Sequence, residues 1–228
     1  MQESTRAQVQ IINISKRYGE HNVQALRNVS LTLERGQFVA LMGPSGCGKS
    51  TLLNCIAGID KPDSGAILVD NFDITKLDEN ALTLLRREKI GFVFQFFNLL
   101  STLTVRENIE LPLDLAGGAR ATAISKSTAL LSEIGLLERS NFYPSQLSGG
   151  EMQRVSVLRA IIHGPEIVLA DEPTGNLDTV NGNQILSILQ SLCHDKGETV
   201  LMATHSQEAA AFADVIIRMK DGAIETIV

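Results

Sequence analysis

The stretch "FVALMGPSGCGKSTLLNCIAG", from Phe38 to Gly58, decides the fold. Its first five residues are all apolar, and so short a run with no polar face suits a strand covered on both sides. A glycine-rich loop follows, and then Leu52, Leu53 and Ile56 recur at helical spacing until Gly58 stops the pattern. Strand, loop and helix in that order form one arm of a parallel sheet. The loop itself, Gly43, Pro44, Ser45, Gly46, Cys47, Gly48, Lys49, Ser50 and Thr51, has the spacing of a phosphate loop. Its glycines let backbone N–H groups converge on phosphates with no Cβ in the way, and the helix start adds favourable partial charge. Lys49 is placed to reach the terminal phosphates and the Ser50 hydroxyl to ligate Mg²⁺.

Working outward, two more buried runs, "EIVLA" before Asp171 and "TVLMAT" before His205, alternate with a helical stretch whose Ile185, Ile188, Leu189 and Leu192 share a face. This predicts an α/β fold, a parallel sheet covered by helices, with its sites at the carboxyl ends of the strands. Upstream, "VQIINISKRY" and "LRNVSLTLERG" read as β-rich segments with a turn at Gly19–Glu20, an N-terminal antiparallel β layer. From about residue 95 to 163 the pattern is mainly helical, with a capping-box spacing at Thr104 and Glu107, so a helical subdomain is inserted in a single domain spanning 1–228.

The candidate functional residues stand at strand ends. In "IVLADEP", one of Asp171 and Glu172 would help hold Mg²⁺ and the other accept a proton from an attacking water; an isolated Asp-Glu pair reads better as an acidic helix or turn entry, and the phosphate loop reverses that reading. His205 ends a strand expected beside the other two, within reach of a terminal phosphate. Gln95, after "IGFVF", is either a surface amide or a sensor of Mg²⁺ and water. Tyr18, one of two tyrosines in a chain with no tryptophan, is a candidate to stack on adenine, against simple packing at a strand edge.

"QLSGGEMQRV", Gln146 to Val155, poses a separate question. Ser148 and Glu151 form a capping-box pair, and Met152, Val155, Leu158 and Ile162 give the helix an apolar face. A cap requires neither Gly149 nor Gly150, and glycine is a poor helix former. Their absent side chains suit the approach of something large, and a helix start selects an anion. The phosphate loop already serves this chain's own ligand, which points to a ligand held by another chain.

Composition bounds the rest. In 228 residues, 44% hydrophobic, there is material for a sizeable core. A net charge of −6 with dispersed Lys and Arg excludes a nucleic-acid-tracking face. Cys47, Cys55 and Cys193 have neither metal-ligand nor disulfide spacing, which fits a reducing compartment. The apolar runs fall far below the roughly 18 residues that span a bilayer, and "MQESTRAQVQ" has no signal-peptide stretch, so a soluble intracellular protein is expected.

Taken in order, "GPSGCGKST", Gln95, "LSGGE", "LADEPTGNLD" and "ATHS" resemble ATP-binding-cassette ATPases over essentially the whole chain. The segments "RYGEHNVQALRNVSLTL" and "IGFVFQFFNLLSTLTVRENIELPL" are similar to the LolD/MacB-type group of lipoprotein-releasing and macrolide-export ATPases, with Glu151 in place of the commoner Gln of the signature. The resemblance implies a P-loop NTPase (RecA-like) core and ATP hydrolysis with Mg²⁺. It implies Tyr18 as the adenine platform, Lys49 and Ser50 in Walker A, Gln95 in the Q-loop, Asp171 and Glu172 in Walker B, Asp178 in the D-loop and His205 as the switch histidine. It further implies an ATP-dependent head-to-tail homodimer in which Ser148, Gly149, Gly150 and Glu151 close on the partner's ATP. The partner would be an integral-membrane permease that makes most substrate contacts and holds the chain on the cytoplasmic face of the cell membrane. A regulatory cassette of the cell-division type, signalling through a membrane partner without transport, is the alternative.

Overall fold

The computed structural model describes residues 7–19 and 23–228, so Glu20 of the expected turn lies outside the described residues. In chain order the strands are β1 (Ala7–Tyr18), β2 (Val23–Glu34), β3 (Phe38–Met42), β4 (Ser64–Val69), β5 (Phe72–Asp73), β6 (Ile90–Val93), β7 (Ile167–Asp171), β8 (Thr199–Thr204), β9 (Val215–Lys220) and β10 (Ala223–Ile227). The α-helices are α1 (Lys49–Ile56), α2 (Glu79–Lys89), α3 (Val105–Leu115), α4 (Arg120–Glu133), α5 (Gly149–Ile161), α6 (Thr179–Lys196) and α7 (Gln207–Ala210).

Six strands form the main sheet in the order β10-β9-β3-β8-β7-β6. All its pairs are parallel except β9 with β10. Every residue of β3 and β8 is buried, which is why both segments lack a polar face. Side-chain alternation splits β3 between two cores. Phe38, Ala40 and Met42 join the cluster beneath α5 and α6, while Val39 and Leu41 join the cluster that holds Leu52, Leu53 and Ile56 of α1 against the second sheet.

That second sheet has the order β2-β1-β4-β5 and is antiparallel. On β2 the apolar Leu26, Val29, Leu31 and Leu33 face inward. β4 and β5, which the sequence pattern does not reveal, return after α1 to extend this layer beside β1. A polar knot joins the two sheets: Gln8 donates to Asp70 (2.8 Å) and Glu166 (3.1 Å), and Lys89 pairs with both carboxylates.

Between β6 and β7 the chain forms α3, α4 and α5. Thr104 and Glu107 cap α3 reciprocally, and Ser148 and Glu151 do the same for α5. Because β8 is threaded between β3 and β7, the carboxyl ends of three strands far apart in the chain lie side by side. That is where the loops carrying Lys49, Glu172 and His205 converge.

Candidate functional site

A cleft of about 440 Å³ opens at those strand ends, and Ser45, Gly46, Lys49, Gln95, Glu172 and His205 are among the residues lining it. The phosphate loop forms its floor. Gly48 sits at φ 105°, in the left-handed region, and a Cβ there would lie 2.4 Å from the Ala25 carbonyl oxygen. Gly43 is excluded from any other identity by packing, since its Cβ would meet the Met219 carbonyl oxygen at 2.4 Å. The buried Lys49 donates from Nζ to the carbonyl oxygens of Gly43 (2.8 Å) and Pro44 (3.2 Å), which folds the loop around its own ammonium.

Glu172 departs from β7 with φ 47°, an uncommon conformation for a residue with a side chain. Its N–H donates to the Ala203 carbonyl of β8 at 3.0 Å, and its own carbonyl accepts from Gly175 at 3.1 Å. The reversal turns the carboxylate over the sheet end, with Oε1 at 3.8 Å from Lys49 Nζ and Oε2 at 2.9 Å from His205 Nδ1. His205, read from sequence as a phosphate contact, therefore has a carboxylate partner within the chain. The pair also lines a second, smaller cleft with Asp178, so it forms a wall between the two.

Asp171 is the other member of the acidic pair. Burial holds its carboxyl above the ordinary range, a hydrogen bond with Ser50 opposing that shift. Its Oδ1 is buried without a hydrogen-bond partner among the described residues. An unpartnered carboxylate oxygen beside a hydroxyl is an oxygen donor set suited to Mg²⁺, which takes one or two carboxylates and completes its shell with phosphates and water. Consistent with so sparse a set, no cluster of three or more His, Cys, Asp or Glu able to hold a metal occurs among the described residues.

Tyr18 does not line the cleft. Its hydroxyl donates to Asp60 Oδ2 at 2.6 Å, and Lys16 Nζ lies 5.2 Å from the ring centroid. Desolvation and the Asp60 hydrogen bond push the phenol up to about 12. Asp60, beyond the end of α1, is a partner that sequence reasoning missed; nothing in the spacing of residues 18 and 60 signals it.

Ser148, Gly149, Gly150 and Glu151 lie outside the cleft as well. The Ser148 hydroxyl and N–H both engage Glu151 Oε2, at 2.9 and 2.8 Å, and that N–H holds the Glu151 carboxyl below its ordinary value. Asp178 caps α6, accepting from the Asn181 N–H at 2.9 Å. One chain thus brings together the phosphate loop, Gln95, the acidic pair and His205, and leaves the signature turn apart.

A third feature is an apolar groove of about 510 Å³ between the main sheet and α3, with Arg87, Phe92, Phe94, Asn98, Leu115 and His163 in its lining. Of the run "FFNLL", Phe96 and Leu100 are exposed at 73% and 46%, while Leu99 packs on the core. Arg87 Nε is buried there without a partner among the described residues. Among the described residues no helix is long and apolar enough to cross a membrane.

Comparison with known proteins follows the same lines. A family model described as ABC transporter matches residues 26–175. The chain is 48% identical, over 94% of its length and 87% of the relative's, to an uncharacterised ABC transporter ATP-binding protein of Mycobacterium tuberculosis. It is 46% identical to the macrolide export ATP-binding/permease protein MacB of Campylobacter jejuni, over 93% of this chain and 33% of that longer protein. Among solved structures, the dimeric post-hydrolysis state of the ATP-binding cassette MJ0796 of Methanocaldococcus jannaschii, bound to ADP and Pi, superposes with a TM-score of 0.91. Identity there is 43%, covering 96% of this chain and 97% of the other.

Proposed function

This chain belongs to the ABC transporter family, and from that premise we propose that it is the cassette of a LolD/MacB-type system whose cleft hydrolyses ATP to drive a separate permease exporting or extracting a lipoprotein, lipid, peptide or drug. The observation that carries this reading is the convergence of Lys49, Ser50, Gln95, Glu172 and His205 on one cleft. The loop N–H groups from Gly43 to Thr51 and Lys49 bind the phosphates. Ser50, Asp171 and Gln95 are the residues that would hold Mg²⁺, which when bound supplies charge neutralisation on the phosphate oxygens. Water attacks the terminal phosphorus as the bond to the bridging oxygen breaks, and Glu172 takes the proton that water loses. His205, held by Glu172, orients that carboxylate and approaches the transferred group. Ser148 to Glu151, with Asp178 nearby, close on the partner's ATP. The relatives that the chain resembles are transporter ATP-binding proteins, which favours transport over a purely regulatory cell-division role.

Tyr18 completes the site as the adenine platform. Tyr18→Ala should weaken ATP binding by about 1–3 kcal/mol, because base–aromatic stacking is worth that much. Tyr18→Phe keeps the π face and forfeits only the Asp60 hydrogen bond, so its ATP affinity should stay close to that of the unmodified chain. Titration of labelled ATP against the three proteins decides it; equal losses for both variants would assign the effect to the hydroxyl instead.

The apolar groove beside Asn98 is our candidate for the seat of the permease, and this reading puts the chain on the cytoplasmic face of the membrane. Its apolar lining, the exposed Phe96 and Leu100 two residues either side of Asn98 in the chain, and an Arg87 Nε with no partner among the described residues suit a helix end that brings apolar side chains and an acceptor. A photocrosslinker at Asn98 should capture the permease in membranes containing the assembled complex. Capture from a position on the far face of α6 and none from Asn98 would move the docking surface elsewhere.

A further inference from the structure

The paired glycines of the signature turn differ. Gly150 is buried, and a Cβ built on it would stand 2.8 Å from both Cγ and Oδ1 of Asn181 and 3.1 Å from Nδ2. At Gly149, half-buried, the nearest neighbour of such an atom is Phe97 Cζ at 4.0 Å. Asn181 is not free to swing aside. Its Nδ2 donates to Asp178 Oδ2 at 2.7 Å, its backbone N–H donates to Asp178 Oδ1 at 2.9 Å, and its Oδ1 accepts from Arg154 Nη1 at 3.0 Å. Arg154 stands on α5 four residues after Gly150, on the same face of the helix. A hydrogen-bonded chain therefore runs from the loop after β7, through Asn181 at the start of α6, to the helix that carries the signature.

We infer that the missing side chain at Gly150 makes room for Asn181 within the chain, and that Asn181 is a positioning residue which clamps the signature helix to the Asp178 loop, so that Ser148, Gly149, Gly150 and Asp178 approach the partner chain as one body. The two glycines thus differ in their surroundings: among the described residues a Cβ at Gly149 would meet open space, whereas one at Gly150 would meet Asn181. The inference rests on the reading that Ser148 and its neighbours close on ATP held by the other chain.

Melting of the full chain without nucleotide separates the two glycines, because alanine is the better helix former and should raise stability wherever it fits. Gly149→Ala should therefore melt no lower than the parent, whereas Gly150→Ala should melt lower by about 2–4 °C or more. In an Asn181→Ala background the Gly150→Ala penalty should vanish. Should Asn181→Ala fail to fold, Asn181→Ser takes its place. Dimer formation with ATP, measured in a Glu172→Gln background, supplies the readout that ordinary packing would not move. Asn181→Ala should keep the monomer's ATP affinity and weaken the closed dimer by about tenfold, as expected for a lost coupling of order one hydrogen-bonded contact. Asn181→Asp, which sets a second carboxylate against Asp178, should weaken it at least as much. A Gly150→Ala protein that melts at or above the parent, or whose penalty persists without the Asn181 side chain, overturns the inference. Absence of any ATP-closed dimer in the Glu172→Gln parent would instead count against the two-chain reading, leaving the melting comparison to judge the Gly150–Asn181 contact.

Discussion

Replacing Glu172 by Gln is expected to lower steady-state ATP turnover by about 10²–10⁴-fold, the usual worth of a positioned general base, while ATP remains bound. The change is nearly isosteric, so the left-handed turn after β7 and the contact with His205, 2.9 Å away, need not move. What disappears is the ability to take a proton from water. The carboxylate sits 3.8 Å from Lys49 Nζ, and an amide also removes one negative charge from the neighbourhood of the phosphates, which favours ATP retention. Hydrolysis arrested with the nucleotide in place should leave the two-chain form closed, visible as an ATP-dependent shift to dimer on size exclusion. Hydrolysis at the parent rate would remove Glu172 from the role of base and turn attention to Asp171 or His205.

The second large effect is a recovery. Lys49→Ala removes the ammonium that the phosphate loop encloses, and Ser148→Arg fills the approach to the start of α5. Each homodimer should fail to occlude nucleotide at either of its sites. In a head-to-tail pair each site combines Lys49 of one chain with Ser148 of the other, so a heterodimer of the two variants collects both lesions in one site and leaves the second intact. Purified heterodimers should then occlude one ATP per pair. Were Ser148 to act on its own chain's ATP, every site in the mixture would carry a lesion and none would occlude. The geometry within one chain already sets the signature turn outside the cleft of Lys49 and Glu172, which is why recovery is the expected outcome. Occlusion is the measurement of choice, because turnover would confound site assembly with cooperation between sites.

The same residues show how far a sequence reading reaches. Strand, phosphate loop and first helix were legible because each is local: five apolar residues with no polar face, glycines at fixed spacing and a helical repeat all express themselves within Phe38–Gly58. The two capping boxes were legible for the same reason, and both are present. The placement of His205 beside the site followed from treating three buried runs as neighbours in one parallel sheet, and β8 does lie between β3 and β7. β4 and β5 escaped because β4 pairs with β1 across the whole of α1 and the two-residue β5 pairs only with β4, giving no local signature.

Local chemistry and the order of motifs, then, belong to the sequence by itself: a phosphate loop, an acidic pair, a capped glycine turn and the family they spell out. Partnerships between distant residues belong to the tertiary structure alone. Glu172 meets His205 only because the strand order brings together residues 33 apart, Tyr18 meets Asp60 only because β1 folds back over the end of α1, and Gly150 faces Asn181 only because α5 and α6 pack against each other. Hydrophobic periodicity says which face of an element is buried and nothing about what it is buried against. That second choice is made by the packing of whole elements, and it sets Asn181 against Gly150 while leaving Gly149 clear of it.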